Sequence, residues 1–342
     1  MLDYFKVSSS GTRDVSIVVA CLDERENLVL LRDRIAEALR PVDVSWQLLF
    51  IDDGSSDGSL DVLKRLAADD PRVRFVSLSR NFGHQAALSA GLDRADGDAV
   101  VIMDADLQHP PELLPEMIRL WRSGYQAVNT VRVDDQRRSF KSWTARGFYA
   151  LFRRLSDVEL KPGAADFRLL DRRVVDELRA LPERNRFYRG LVSWIGFRQI
   201  YVPYQAGLRR DGVSKYTLRR MSRLAIDGLL SFSEVPLILV FIVGSAFIAM
   251  SLIYALWVVV AHVATNRTIT GWSSLMVATL VLGSAILLSV GIASLYLAKI
   301  YQEVKGRPRY IVRETDGRAE PGLSSRRLEQ REDLVGSERR SS

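Results

Sequence analysis

The first half of the chain alternates short β-branched runs with segments of helical periodicity. Val15 to Ala20, Trp46 to Ile51, Arg74 to Leu78 and Ala99 to Met103 read as strands, and Glu26 to Ala38, Leu60 to Ala68 and Gln85 to Arg94 read as helices. Strands separated by helices of this size predict a parallel sheet covered on both faces. Such sheets bind ligands at the carboxyl ends of their strands. The polar clusters fall there: Asp23 and Glu24 after the first strand, Asp52 and Asp53 after the second, Asp104 and Asp106 after the fourth.

The second half has a different pattern. No Asp, Glu, Lys or Arg occurs from Val235 to Ala264 or from Thr268 to Ala298, and each run is long enough to cross a hydrocarbon core roughly 30 Å thick. Two transmembrane helices are expected; a buried hairpin in a soluble core is the alternative, and runs of this length without ionised residues are rare there. Ahead of them, Ser214 to Phe232 mixes basic and apolar residues at helical spacing, which suits a helix lying in the headgroup plane. The expected organisation is a catalytic domain over 1–210, a juxtamembrane amphipathic region over 211–234, two spans within 235–300, and a tail over 301–342. Past Arg313 the tail is rich in Arg, Glu, Ser and Gly, and it is expected to be largely disordered.

Charge sets an orientation. Arg209, Arg210, Lys215, Arg219, Arg220 and Arg223 precede the first apolar run, Lys299, Lys305, Arg307, Arg309 and Arg313 follow or close the second, and the connection from His262 to Trp272 carries only Arg267. The positive-inside tendency then keeps both ends of the chain in the cytoplasm. The N-terminal M-L-D-Y-F-K-V-S-S-S lacks the basic and apolar regions of a secretory signal. A single cysteine, Cys21, excludes an intrachain disulfide and reads as a small buried hydrophobe. The net charge of +7 and pI near 9.6 raise nucleic acid as a partner. The basic residues lie instead beside the apolar runs and between Arg132 and Arg154, and no nucleic-acid-binding motif accompanies them, so anionic lipid is the expected partner.

The segment V-V-I-M-D-A-D-L-Q-H-P-P-E carries the candidate chemistry. If the strand stays extended, Asp104 and Asp106 point the same way and face one hard cation, with Gln108 as a third oxygen. Mg²⁺ or Mn²⁺ is the natural occupant, and such an ion usually completes its shell with substrate phosphates, which points to a nucleotide diphosphate. Asp-x-Asp alone is common by chance. The chain has no G-x-G-x-x-G after its first strand and no P-loop, which disfavours dinucleotide and P-loop chemistry. His84 and His109 lie near this site, and both read as structural because the expected cation prefers oxygen. Arg132, Arg137, Arg138 and Lys141 fit either a phosphate grip or a solvated basic face. Lys215 is the stronger phosphate candidate, since Gly212 supplies a turn before it.

The ordered motifs resemble those of the polyprenyl-phosphate glycosyltransferases, a branch of glycosyltransferase family 2 that includes dolichol-phosphate mannose synthase and bactoprenol glucosyltransferases. The resemblance spans Val15 to Glu314 through S-I-V-V-A-C-L-D-E, I-D-D-G-S-S-D, N-F-G-H-Q-A-A-L-S-A-G, M-D-A-D-L-Q-H-P-P-E, A-D-F-R-L-L-D-R-R-V-V, L-P-E-R-N-R-F-Y-R-G, G-V-S-K-Y and Y-Q-E-V-K-G-R-P-R-Y-I-V. It implies an α/β GT-A (Rossmann-like) fold and an inverting transfer of one sugar, glucose from UDP-glucose being the expected case, onto undecaprenyl phosphate. It also implies that Glu24 and Asp53 hold the nucleoside, and that Asp104, Asp106 and Gln108 bind the metal and diphosphate. Asp166 is then a catalytic-site acid, and Arg209, Ser214 and Lys215 form a loop over the donor or acceptor phosphate. A homo-oligomer, such as a tetramer, is the assembly the resemblance implies.

The chain departs from the family pattern at three places: Ala20-Cys21-Leu22-Asp23-Glu24 replaces the usual Pro-Val-Tyr-Asn-Glu, Ala165 replaces a glycine, and Leu295 stands where many bactoprenol members have glutamate. Without the resemblance, Asp166 reads as an acid capping a helix from Phe167 to Leu178. A processive polysaccharide synthase is disfavoured by the absence of Gln-x-x-Arg-Trp and of further spans. A non-catalytic membrane scaffold is disfavoured by three intact acids.

Overall fold

The computed structural model describes residues 14–133, 161, 163–184, 186–205 and 271–318, with scattered helical positions between 240 and 260. These residues divide into two units: the part before the apolar region joined by the chain from Pro308 onward, and a unit that carries the apolar helix.

The first unit is built on β1 (Val15–Cys21), α1 (Leu28–Leu39), β2 (Trp46–Asp52), α2 (Ser59–Asp69), β3 (Val73–Leu78), α3 (His84–Arg94), β4 (Ala99–Asp104), α4 (Leu114–Arg122), β5 (Ala127–Arg132), β6 (Ala164–Asp171), α5 (Arg172–Ala180), α6 (Tyr188–Trp194) and β7 (Gln199–Tyr204). The second unit holds α7 (Trp272–Val304), after which β8 (Val312–Thr315) belongs again to the first. Every residue of β1, β2 and β3 is buried, as expected of strands covered on both faces. The helix α1 buries Leu28, Leu31, Ile35 and Leu39, one helical face. Each such leucine or isoleucine contributes about 2 kcal/mol on burial.

The sheet order is β7-β5-β6-β4-β1-β2-β3-β8. β4, β1, β2 and β3 are parallel, as the alternating pattern predicts. The sheet as a whole is mixed, which corrects the expectation of a parallel one. β6 runs antiparallel to both β4 and β5, and β8 runs antiparallel to β3. The chain passes from β4 through α4 and β5 before it reaches β6, which fills the gap between β4 and β5.

That reversal positions the site. Ala99 lies opposite Asp171 and Ile102 opposite Arg168, so two residues further along the same register Asp104 and Asp166 face each other at one rim. Asp166 therefore sits in a strand, and the reading of it as the cap of a helix from Phe167 is corrected. The true cap is Asp171, whose side chain accepts from Arg173 N ahead of α5.

Two further differences concern the membrane part and the tail. One helix among the described residues is long and apolar enough to cross a membrane, over Val281–Val304. The other expected span falls largely on residues outside the described ones, so a pair of spans is not established. The start of the segment past Arg313, expected from the sequence to be disordered, instead completes β8 against β3, and Asp316 and Arg318 are anchored beside it.

Candidate active site

Four loops meet at the carboxyl rim of the sheet. Asp52 Oδ1 accepts from Ser55 N at 2.9 Å and its Oδ2 from Ser77 Oγ at 2.7 Å, which fixes the turn after β2. Asp23 Oδ1 accepts from Ser56 N at 2.8 Å, and Glu24 N donates to Ser59 Oγ at 3.1 Å, so the turns after β1 and β2 are tied together. Gly54 makes this close approach possible. Its φ is +78°, and a Cβ there would lie 2.5 Å from the carbonyl carbon of Arg80.

Asp53 lies within this weave. Its two oxygens accept from Phe82 N at 2.8 Å and Gly83 N at 2.9 Å, which holds the N-F-G-H loop at the start of α3. Burial raises its pKa, and those two backbone bonds and His84 pull in the opposite direction. The structure thus places Asp53 as a loop clamp, while Glu24 accepts from Asn27 Nδ2 at 2.6 Å beside it.

The Asp-x-Asp segment is a turn rather than an extended continuation of β4. The strand ends at Asp104, Leu107 has a φ of +62°, and Asp106 Oδ1 accepts from Gln108 N at 3.2 Å. A non-glycine residue in the left-handed region is strained, and such strain concentrates at functional sites. Asp104 is oriented from behind: its N–H donates to His109 Nδ1 at 3.0 Å, and His109 stacks on Phe167 with ring centroids 5.3 Å apart. Gln108 Oε1 accepts from Arg132 Nη1 at 3.3 Å.

Asp166 sits across from Asp104 and is almost fully buried. Arg189 Nε and Nη2 each donate to a separate oxygen of it at 2.8 Å, and Arg168 Nη2 donates to Oδ1 at 3.3 Å. Burial alone pushes this carboxyl upward, but Arg189, Arg168 and His84 outweigh it and hold the group well below the usual carboxylate range. The two guanidinium partners thus favour its ionised form and make it a weak base. His84 Nε2 stands between the facing acids, 3.5 Å from Asp104 Oδ1 and 3.8 Å from Asp166 Oδ2. Tyr204 closes one side, its hydroxyl pushed up to about 12 chiefly by burial.

The residues fit a hard divalent cation. Asp104 Oδ1 is buried without a hydrogen-bond partner, an arrangement that is costly unless something else satisfies it. Among the described residues no group of three or more His, Cys, Asp or Glu side chains converges as a complete metal cage. Two carboxylates with the remaining positions left to water and diphosphate match the habit of Mg²⁺ and Mn²⁺.

The structure thus brings Asp53, Asp104, Asp106, Gln108 and Asp166 to one rim with Glu24 alongside. Arg209, Ser214 and Lys215 lie outside the described residues, as do Arg137, Arg138 and Lys141. Sequence reasoning missed Arg189 and Arg168 and set His84 aside. The arginine pair had one available signal: Arg168 follows Asp166 by two residues on the same strand, which puts both on one face.

Residues 16–179 match the model of glycosyl transferase family 2. The chain is 42% identical to the uncharacterized glycosyltransferase YkcC of Bacillus subtilis over 303 residues, covering 88% of this chain and 94% of that one. It is 37% identical to the SfII prophage-derived bactoprenol glucosyl transferase of Shigella flexneri over 306 residues, covering 88% and 98%. Among solved structures, a mannosyltransferase from Pyrobaculum calidifontis in complex with GDP-mannose and Mn²⁺ is 18% identical, covers 85% of each chain and has a TM-score of 0.47. The chain belongs to glycosyltransferase family 2, with an α/β GT-A fold, and is a glycosyltransferase.

Proposed function

We propose that this protein transfers one glucose from UDP-glucose to polyprenyl phosphate, undecaprenyl phosphate being the expected acceptor, with inversion at the anomeric carbon. The observation that carries the reading is the similarity to relatives named bactoprenol glucosyl transferase along almost their whole length. The acids facing each other at the sheet rim supply the chemistry it needs. The reaction takes place at the cytoplasmic face of the membrane, in a chain with two spans and both termini cytoplasmic. Self-association through the spans, with a tetramer as the expected assembly, belongs to the same reading; Gly244 and Gly283 have nothing within 4 Å of an added Cβ.

Asp104 and Asp106 would hold Mg²⁺ or Mn²⁺, with Gln108 or the donor diphosphate adding oxygens. Such an ion, when bound, offsets the charge that grows on the departing nucleotide diphosphate. Glu24 and the turns held by Asp53 receive the nucleoside. The acceptor is a phosphate monoester, already anionic near neutral pH, so it attacks without a general base. Asp166 accordingly acts through Arg189, which it holds in a fixed orientation toward incoming phosphate, and Arg209, Ser214 and Lys215 complete the phosphate grip from the following loop. His84, between the two acids, orients the sugar-phosphate end of the donor.

The test is direct. Full-length protein in detergent is given undecaprenyl phosphate, Mg²⁺ or Mn²⁺ and a panel of UDP- and GDP-sugars, and the lipid is followed by mass spectrometry. A gain of one hexose from UDP-glucose, lost with chelator, supports the proposal. A polymer, or transfer only from another donor, overturns it.

A further inference from the structure

Three successive residues just beyond Pro308 each reach a different support of the site. Arg309 Nη2 donates to Leu181 O at 3.3 Å, and the same carbonyl accepts from Arg186 Nη2 at 2.7 Å. Arg186 is buried, and its Nη1 meets Tyr188 Oη at 3.3 Å, one residue before Arg189. Tyr188 Oη lies in turn 2.8 Å from Ser89 Oγ on α3. Tyr310 Oη donates to Asp93 Oδ2 at 2.9 Å and accepts from Arg94 Nη1 at 2.9 Å, in the last turn of the helix that begins with His84. Ile311 O accepts from Ser79 N at 2.9 Å, at the entry to the loop whose Phe82 and Gly83 amides Asp53 holds.

The strap is anchored beyond these contacts. Arg74 and Asp316 form an ion pair at 3.0 Å with both side chains nearly buried, and Arg318 donates to the carbonyls of Pro71 at 2.7 Å and Ala67 at 2.8 Å. Lys64 and Glu314 pair at 2.8 Å on the exposed side. Anchoring alone needs only these later residues. It does not account for the polar contacts of Tyr310 with the last turn of α3, the helix that begins at His84, or of Arg309 with Leu181 O in the connection that leads through Arg186 to α6 and Arg189.

We propose that Arg309 and Tyr310 are positioning residues, bracing α6 and α3 so that Arg189 and His84 stand at fixed places beside Asp166 and Asp104. This rests on the reading of that rim as the transfer site. A half-buried hydrogen-bonded brace seated on buried side chains such as Arg94, Arg186 and Tyr188 transmits displacement because the packed interior yields little. Misplacement at a distance from the reacting atoms lowers the chemical step more than it weakens binding.

The test compares Tyr310→Phe, Arg309→Met, Arg309→Lys and Lys64→Gln with the wild type, all full length in detergent. Tyr310→Phe keeps the ring and loses both polar contacts, and Arg309→Lys retains a donor for Leu181 O. Hydrogen exchange is measured on peptides covering 79–94 and 181–192, with kcat and KM for the sugar nucleotide and the melting temperature. The expected result is faster exchange in both peptides and a kcat lowered roughly ten-fold or more in Tyr310→Phe and Arg309→Met. KM changes little, Arg309→Lys recovers most of the rate, and Lys64→Gln matches the wild type. If Tyr310→Phe does not fold, the Arg309 pair decides. Unchanged exchange in both peptides overturns the proposal, as does a rate loss that Lys64→Gln shares or that simply follows the melting temperature. Exchange reads the brace even if the wild type makes no glycolipid, so failure of the transfer reading shows separately.

Discussion

Arg189 grips Asp166 with two parallel hydrogen bonds of 2.8 Å, one to each carboxylate oxygen. A carboxylate held in this way is a weak base and anchors its guanidinium partner. In the proposed transfer reading, the acid that the family resemblance implied as catalytic has the role of fixing a guanidinium in place.

Replacing Arg189 by Met tests that relationship. The buried carboxylate keeps Arg168 but loses its bidentate partner, which is expected to cost about 1–3 kcal/mol of stability and to lower transfer at least roughly 100-fold. Thermal melting and initial rates measure the two effects; a variant with wild-type turnover contradicts the role given to Arg189.

The pH dependence has a definite sign. Asp166 has a folded pKa well below the value of about 3.9 expected in the unfolded chain. Its stabilising contribution is thus complete above about pH 5 and is lost as pH falls through the unfolded value toward the folded one. The melting temperature of wild type minus that of Asp166→Asn should be constant from about pH 5 to 8 and shrink below about pH 4. A difference that does not shrink below about pH 4 would contradict the depressed pKa of Asp166.

Gly54 is a geometric requirement. With a φ of +78° and only 2.5 Å between a Cβ and the Arg80 carbonyl carbon, Gly54→Ala must push apart the turns after β2 and β3. A loss of about 2 kcal/mol or more is expected, together with weaker UDP binding by calorimetry.

His109 supports Asp104 from behind. His109→Phe preserves the stacking on Phe167 and leaves the Asp104 N–H without its acceptor. Mn²⁺ affinity in the presence of UDP should fall about ten-fold or more, with the fold retained by circular dichroism.

The parallel core was legible because its signal is local. Buried strands of Val, Ile and Leu separated by amphipathic helices mark the order of β1 to β4, and the acids that follow each strand mark the binding rim. The reversal of β6 was not legible: its pairing with β4 depends on residues nearly 70 positions away, and no periodicity in A-A-D-F-R-L-L-D records direction. Arg189 escaped for a similar reason, since long-range contacts of Tyr188 with Ser89, Gln85 and Arg168 bring α6 to Asp166. The part of the strap past Arg313 read as disorder because its contacts are charged, and charged residues on an edge strand look the same as those of a solvated tail.

The most direct measurement of the central claim is UDP binding by isothermal titration calorimetry with and without Mn²⁺, for full-length wild type and Asp106→Asn in the same detergent. The account predicts that Mn²⁺ strengthens UDP binding to the wild type at least roughly ten-fold and leaves Asp106→Asn unaffected while its fold and membrane insertion persist. Equal enhancement by Mn²⁺ in both proteins would contradict the assignment of Asp104 and Asp106 as the seat of the metal and diphosphate.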